Sequence, residues 1–357
     1  MHVLHFQGVN DAYIQGLRYL RQVGVEQDSR AGRVLVAPTP VTTVYSKPWE
    51  RVLFDPKRDA NPVFHVFEAL WMLSGRRDAT WLDRFVSDFS KRFAEDDGNQ
   101  HGAYGYRWRK HFDLEWSGHD VLPDQLDVAV RLLKENHDER RAVIQMWDPC
   151  SDLDVKKKDV PCNLNICLRV RSEIETVGMS YANGMGGAHQ ELVPYLDMMV
   201  TCRSNDAIYG CYGANAVHFS MLLEYLAGRI GVKVGTYSQV SFNFHAYLDV
   251  LAKVGEQLLE PPTYPGTHPM GNDWGHWDDD LETFMAWADG RPAGSVVFRN
   301  SWFETTAVPL LLAHERWKLG ERKRAVRTLI EADTMAPDWR QGAWDWMDRR
   351  MAKLKTA

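Results

Sequence analysis

Apolar residues recur at helical spacing over residues 10–24 and 61–90, and at strand-like density in shorter runs between polar clusters. In NPVFHVFEALWMLSG, Val63, Phe67, Leu70, Met72 and Leu73 spread over one broad apolar face that Gly75 stops. AVIQMW and LNICLRV are short, rich in branched side chains and bounded by Pro and polar residues, as buried strands are. AVHFSMLLEYLA, from Ala216 to Ala227, returns to the helical period before GRIGV punctuates it, and VGTYSQVSFNFHAYLDVLAKVGEQL passes from strand into helix. The Gly-, Met- and Ala-rich stretch within SEIETVGMSYANGMGGAHQELVP predicts a long loop insertion at 173–194, and beyond residue 290 the chain turns helical and charged. The pattern predicts an α/β (α+β) fold over residues 1–290, a mixed sheet flanked by helices, with a helical extension at 291–357.

Composition narrows the class. With 357 residues, 45% of them hydrophobic, the chain buries a large core without disulfide or metal staples. The net charge is −6 and the 42 basic residues are dispersed, which argues against direct nucleic-acid binding but leaves room for a local arginine pocket for a small anion. Runs such as VPLLLA are too short to span a bilayer, and the opening MHVLHFQGVND lacks the pattern of a secretory signal. Five cysteines without a CxxC point away from a disulfide framework and from a zinc site, so a cytoplasmic, metal-free protein is expected.

Chemistry concentrates in a few places. Cys162, in DVPCNLNICLRV, is either a small buried hydrophobe or a nucleophile, and a free thiol becomes useful only where positive charge favours the thiolate. Cys167, inside the strand, is the better core residue. Arg30, the pair Arg140–Arg141, and Arg203 with Ser204 carry the planar forks and hydroxyl that suit phosphate. Glu68 interrupts an apolar helix face, where an unpaired carboxylate is costly, and so is either hydrogen-bonded or held for proton transfer. His245 and Tyr247 share a face if extended and could grip a sugar hydroxyl, while the Asn215 amide could read a nucleobase edge. Cys162 with His245 and Asn243 would also suit a cysteine hydrolase, which requires a Cys–His hydrogen bond.

Taken in order, these pieces resemble the thymidylate synthase family: SRAG its phosphate-binding arginine loop, FEALWML its glutamate helix, AYGYRWR its YGxxWR segment, ERRAVIQMWDP its double-arginine strand, DVPCNLNICLRV its nucleophile strand, TCRSNDAIYG its second arginine motif and FNFHAYLDV its nucleotide-binding strand. The resemblance implies a thymidylate-synthase-like sheet and a one-carbon transferase acting on a pyrimidine nucleoside monophosphate with 5,10-methylenetetrahydrofolate as co-substrate. It implies that Cys162 adds to C6, making C5 a carbon nucleophile. Glu68 would organise water and proton transfers, with Tyr104 shaping the site. Arg30, Arg203 and Ser204 would hold phosphate, His245 and Tyr247 the 3′-hydroxyl and Asn215 the base. Asp206, Trp108 and Trp71 would meet the folate. Arg140 and Arg141 would cross to the partner's nucleotide in a homodimer.

The departures cluster around the base and the transferred carbon. Asn163 stands where the family has His, Cys202 where it has Gln, and strict register puts Ala214, with Asn215 one place along, where the base-reading Asn belongs. Residues 291–357 replace the family's short closing tail. With the phosphate grip retained and the surroundings of C4 and C5 altered, the expected reaction is 5-hydroxymethylation by water addition to an exocyclic methylene. The substrate expected is dUMP, with dCMP or CMP open. Reductive methylation to dTMP is the alternative, and a silent nucleotide-binding relative a further one. Synthesis of a modified base would fit a bacteriophage protein acting in its host's cytoplasm, or an antibiotic pathway.

Overall fold

A computed structural model of the chain describes residues 1–112, 124–154, 156–180, 187–256, 260–290 and 297–356. Its strands are β1 (His2–Phe6), β2 (Val25–Ser29), β3 (Gly32–Val36), β4 (Val41–Tyr45), β5 (Val143–Gln145), β6 (Asn163–Ser180), β7 (Gly187–Cys202), β8 (Asn205–Asp206), β9 (Lys233–Ser241) and β10 (Phe244–Tyr247). The helices are α1 (Val9–Val23), α2 (Pro62–Leu73), α3 (Phe89–Phe93), α4 (Tyr104–Tyr106), α5 (Gln125–Glu135), α6 (Pro149–Asp152), α7 (Asn215–Ile230), α8 (Leu248–Val254), α9 (Trp277–Ala288), α10 (Val308–Lys318), α11 (Arg322–Glu331) and α12 (Pro337–Thr356). Six strands form a mixed sheet in the order β1-β4-β9-β7-β6-β5, and β2-β3-β10-β8 form a smaller one. This is the mixed-sheet α/β architecture that the pattern predicts.

Alternation along the strands gives the large sheet one buried face. Ile166, Leu168 and Val170 of β6, with Leu196, Met198 and Val200 of β7, are buried beneath α7, and α2 packs against α7 in turn. The register row Val143, Cys167, Met199 lies on the other face, where Val143 is 45% and Met199 42% exposed. Cys167, expected in the core, is therefore only half-buried on the uncovered face.

Local rules fix α2. The Asn61 side chain accepts from the Phe64 amide at 3.1 Å, Pro62 opens the first turn, and Gly75 at φ +68° follows the last turn. The helical spacing read through residue 90 thus breaks at Leu73, and a 3-10 turn at Ala79–Arg84 and α3 follow. Nearly every α2 residue is buried, so the helix has no wet side on which Glu68 could sit.

The segment 173–194 is not a loop. β6 and β7 stay paired from Glu173↔Val193 out to Ser180↔Gly187, and only the tip at 181–186 lies outside the described residues. The strand alternation there was hidden because it has no core to face: Ile174 is 68% and Leu192 70% exposed. In the C-terminal region, α10 and α12 pack against α2, and Leu310, Leu311, Trp339 and Met347 join the same apolar cluster as Val63 and Phe67. Asp59, at φ +48°, receives Arg349 at 2.9 Å and Arg350 at 3.0 Å and so ties α12 to the residues preceding α2.

Gly105 sits where α4 meets the end of α2, and a Cβ there would fall on the Met72 carbonyl. Gly105→Ala is expected to lower the unfolding free energy by about 1–3 kcal/mol, measured by urea denaturation. An unchanged midpoint would mean that the two helices part freely.

Candidate active site

Cys162 immediately precedes β6, and its position is set by Arg203 at the end of β7. The Arg203 amide donates to the Cys162 carbonyl at 2.9 Å, and its guanidinium donates to the carbonyls of Pro161 at 3.0 Å and Val160 at 3.2 Å. Ser204 and Asp206 follow in the chain. β10 runs parallel to β8 with His245 opposite Asp206, and antiparallel to β3, so the β2–β3 turn brings Arg30 alongside. Cys162, Arg30, Arg203, Ser204, Asp206, His245 and Tyr247 thereby line one open cavity of about 670 Å³. Lys157 and Lys158 add positive charge to its wall, and Trp147 lies beneath the Arg203 guanidinium at 5.5 Å. The lysine run Lys156–Lys158, just upstream of the cysteine, was the sequence signal for this extra charge.

Burial pushes the Cys162 thiol up from its ordinary pKa; Arg203 opposes that, while Asp159 and Asp206 add to it. Asp159 is itself raised by burial and accepts from Gln100 at 2.8 Å. Burial holds the Tyr104 hydroxyl well above its usual pKa, with Cys162 and Asp159 adding to the shift. His245 gives its Nδ1 to the Asn243 carbonyl at 3.3 Å, and no hydrogen bond joins it to Cys162 among the described residues. That removes the cysteine-hydrolase arrangement.

Several expected residues lie elsewhere. Asn163 is wholly buried and accepts from the Cys202 thiol at 2.7 Å, because alternation along β6 turns it away from the face presented by Cys162. Asn163 and Cys202 are register partners, so these two departures from the family pattern answer each other inside the sheet rather than at the reacting centre. Asn215 is also buried, donating to Asn205 Oδ1 at 3.2 Å, and Ala214 instead faces a cavity. Trp71 and Trp108 are fully buried, Trp71 donating to the Asp78 carbonyl and Trp108 packing on Phe219, so both are core residues rather than ligand contacts. Arg140 and Arg141 are exposed ahead of the edge strand β5, where Arg141 pairs with Glu139 at 2.7 Å.

A second cavity, of about 610 Å³, shares Phe93 with the first. Glu68, His65 and Ala214 open into it, with Phe85, Phe89 and Tyr209 on its walls and Trp346 and Arg350 of α12 contributing as well. Arg350 stacks on Trp346 at 3.8 Å. Nothing in the local sequence pattern could announce Trp346 or Arg350, since they reach the site only through the packing of α12 on α2. A flat, aromatic ligand with an anionic end fits such a lining. No group of three or more His, Cys, Asp or Glu is disposed to hold a metal among the described residues, and no helix among them is long and apolar enough to cross a membrane.

Because Arg203 is the group that favours the Cys162 thiolate, Arg203→Ala is expected to raise the thiol pKa further. Alkylation of Cys162 by iodoacetamide at neutral pH should slow by about tenfold, followed by peptide mass analysis across pH to separate it from exposed Cys150. An unaltered rate would show that Arg203 acts on the backbone alone.

Comparison with known proteins agrees with this geometry. The chain is 40% identical over 372 aligned positions to the deoxyuridylate hydroxymethyltransferase of Pseudomonas phage M6, covering 99% of this chain and 96% of that protein. It is 34% identical to the deoxyuridylate hydroxymethyltransferase of Bacillus phage SP01 over 61% of this chain and 52% of that one. The match to a thymidylate synthase of Corynebacterium aurimucosum is 31% over 57% of this chain and 66% of that protein. The family model described as thymidylate synthase matches residues 12–269 and so takes in every residue lining the Cys162 cavity. With its fold, its cysteine cavity and its likeness over full length all in accord, the chain belongs to the thymidylate synthase family.

Proposed function

We propose that the protein transfers a one-carbon unit from methylenetetrahydrofolate to C5 of dUMP and completes the reaction with water, giving the 5-hydroxymethyl nucleotide. The observation that carries this reading is the junction of the two cavities at Phe93. A thiol and a cationic wall stand on one side, and a buried carboxylate with an aromatic wall on the other. The full-length relative at 40% identity, whose name is deoxyuridylate hydroxymethyltransferase, supports the hydroxymethyl outcome and the choice of dUMP. The Asn215 amide no longer supports that choice, being committed to Asn205.

In this reading Arg30 and Arg203 hold the phosphate with Ser204, and His245 and Tyr247 hold the sugar. Cys162 adds to C6, which places the electron pair at C5 for attack on the incoming carbon. Glu68, which opens into the second cavity, handles the proton that C5 loses. The aromatic cavity receives the folate, Asp206 contributes at its edge, and α12 closes it through Trp346 and Arg350, a role for residues 291–357. The uncovered row Val143, Cys167 and Met199 supports a homodimer across the large sheet, with Arg140 and Arg141 at its rim serving the partner's phosphate. The phage relatives support action in a host cytoplasm.

Incubating the protein with dUMP and methylenetetrahydrofolate should give a product heavier by CH2O, with tetrahydrofolate released. A product heavier by CH2, with dihydrofolate appearing, would replace this reading with reductive methylation. Cys162→Ser should bind dUMP and yield no product. Mixing inactive Cys162→Ala with inactive Arg141→Ala chains should restore part of the turnover if the arginines cross, and none if each site is made within one chain.

A further inference from the structure

Glu68 and His218 meet between α2 and α7, where both side chains are buried. Glu68 is 7% and His218 3% exposed, and Nε2 of the imidazole lies 3.0 Å from Oε2 of the carboxylate. Even so, Oε2, Nε2 and the far nitrogen Nδ1 are all without a hydrogen-bond partner, so the pair is close but off the line of a hydrogen bond. Buried polar atoms of this kind are the exception in folded proteins and call for an explanation.

The surroundings say what the pair serves. His218 follows Ala214 by four residues, so both project on one side of α7, and Ala214 offers only a methyl group to the cavity that Glu68 enters. His65, three residues before Glu68 on α2, lines the same cavity, and burial disfavours its charged form. Glu68, His65 and Ala214 thus line the cavity, and His218 stands behind Glu68, its Nε2 against the carboxylate oxygen that the cavity does not reach.

We propose that His218 is a positioning residue, which from behind Glu68 sets that carboxylate to hold the water that adds to the exocyclic methylene. This rests on the hydroxymethylation reading above. The water oxygen forms a bond to the methylene carbon and its proton passes to Glu68. The methylene–C5 π pair moves onto the C4 carbonyl as an enolate. Collapse of the enolate forms the C5–C6 double bond and expels Cys162 as thiolate with the bonding pair. No oxidant or reductant is needed.

The test uses full-length enzyme, dUMP tritiated at C5, and methylenetetrahydrofolate. Tritium release follows the steps up to loss of the C5 proton, and chromatography with mass analysis follows the hydroxymethyl product. His218→Phe should keep tritium release within about threefold of wild type while product formation falls by about tenfold or more, as when an acid–base group is lost, with KM for dUMP little changed. His218→Gln, which keeps a polar group, should give a product-to-tritium ratio between the two and carries the test if the phenylalanine variant does not fold. A ratio equal to wild type in the variants, or an equal fall in tritium and product, would overturn the assignment and leave His218 a structural residue. Dihydrofolate and a methyl product from the wild type would instead overturn the hydroxymethylation reading, and this assignment with it.

Discussion

Arg203 fastens the end of β7 to the residues that present Cys162, through its amide to the Cys162 carbonyl and its guanidinium to the carbonyls of Pro161 and Val160. One side chain therefore fixes the thiol's backbone, supplies the charge that favours its thiolate, and faces the cavity where an anion would lie. Each of these uses needs the planar guanidinium, since a lysine ammonium has no fork to span two carbonyls while its charge acts elsewhere. The small sheet adds the rest of that cavity by strand pairing, because β8 and β10 lie side by side and β3 carries Arg30 to the same edge.

A second constraint comes from α2. A helix buried on nearly every side holds a carboxylate at Glu68, and the His218 imidazole, without a hydrogen bond of its own, lies 3.0 Å from it. Such an arrangement is poor as a device for stability, because unsatisfied buried polar groups cost more than apolar ones of the same shape. It makes sense as a site that is complete only with its reactants. The covering of this region by α12, tied down at Asp59, extends the same logic, since excluding water strengthens every charge within.

The two departures at Asn163 and Cys202 carry a lesson about reading positions singly. In sequence they sit beside a nucleophile and beside a phosphate arginine, and each looks like altered chemistry. In space they form one contact where β6 begins and β7 ends, and there a thiol donates to a carboxamide oxygen. Ala214 is the departure that does face a cavity, and the consequence falls on His218 one turn along the helix.

Much of the molecule was legible in the chain. The helical period of α2 with its Asn61 cap, the branched runs of β5 and β6, and the arginines Arg30 and Arg203 are local signals, set by side-chain period and by residue chemistry, and they pointed to the cavity that holds Cys162. What only the tertiary structure decided concerns direction and distance. Alternation turned Asn163 inward, packing buried Trp71 and Trp108 completely, and Asn215 donates to Asn205. The 173–194 segment proved to be paired strands because ladder hydrogen bonds, unlike side-chain patterns, need no core to face. Trp346 and Arg350 came to the site from the far end of the chain, and His218 came to Glu68 across two helices. Contacts between residues so far apart depend on how helices and sheets pack, which no local period encodes.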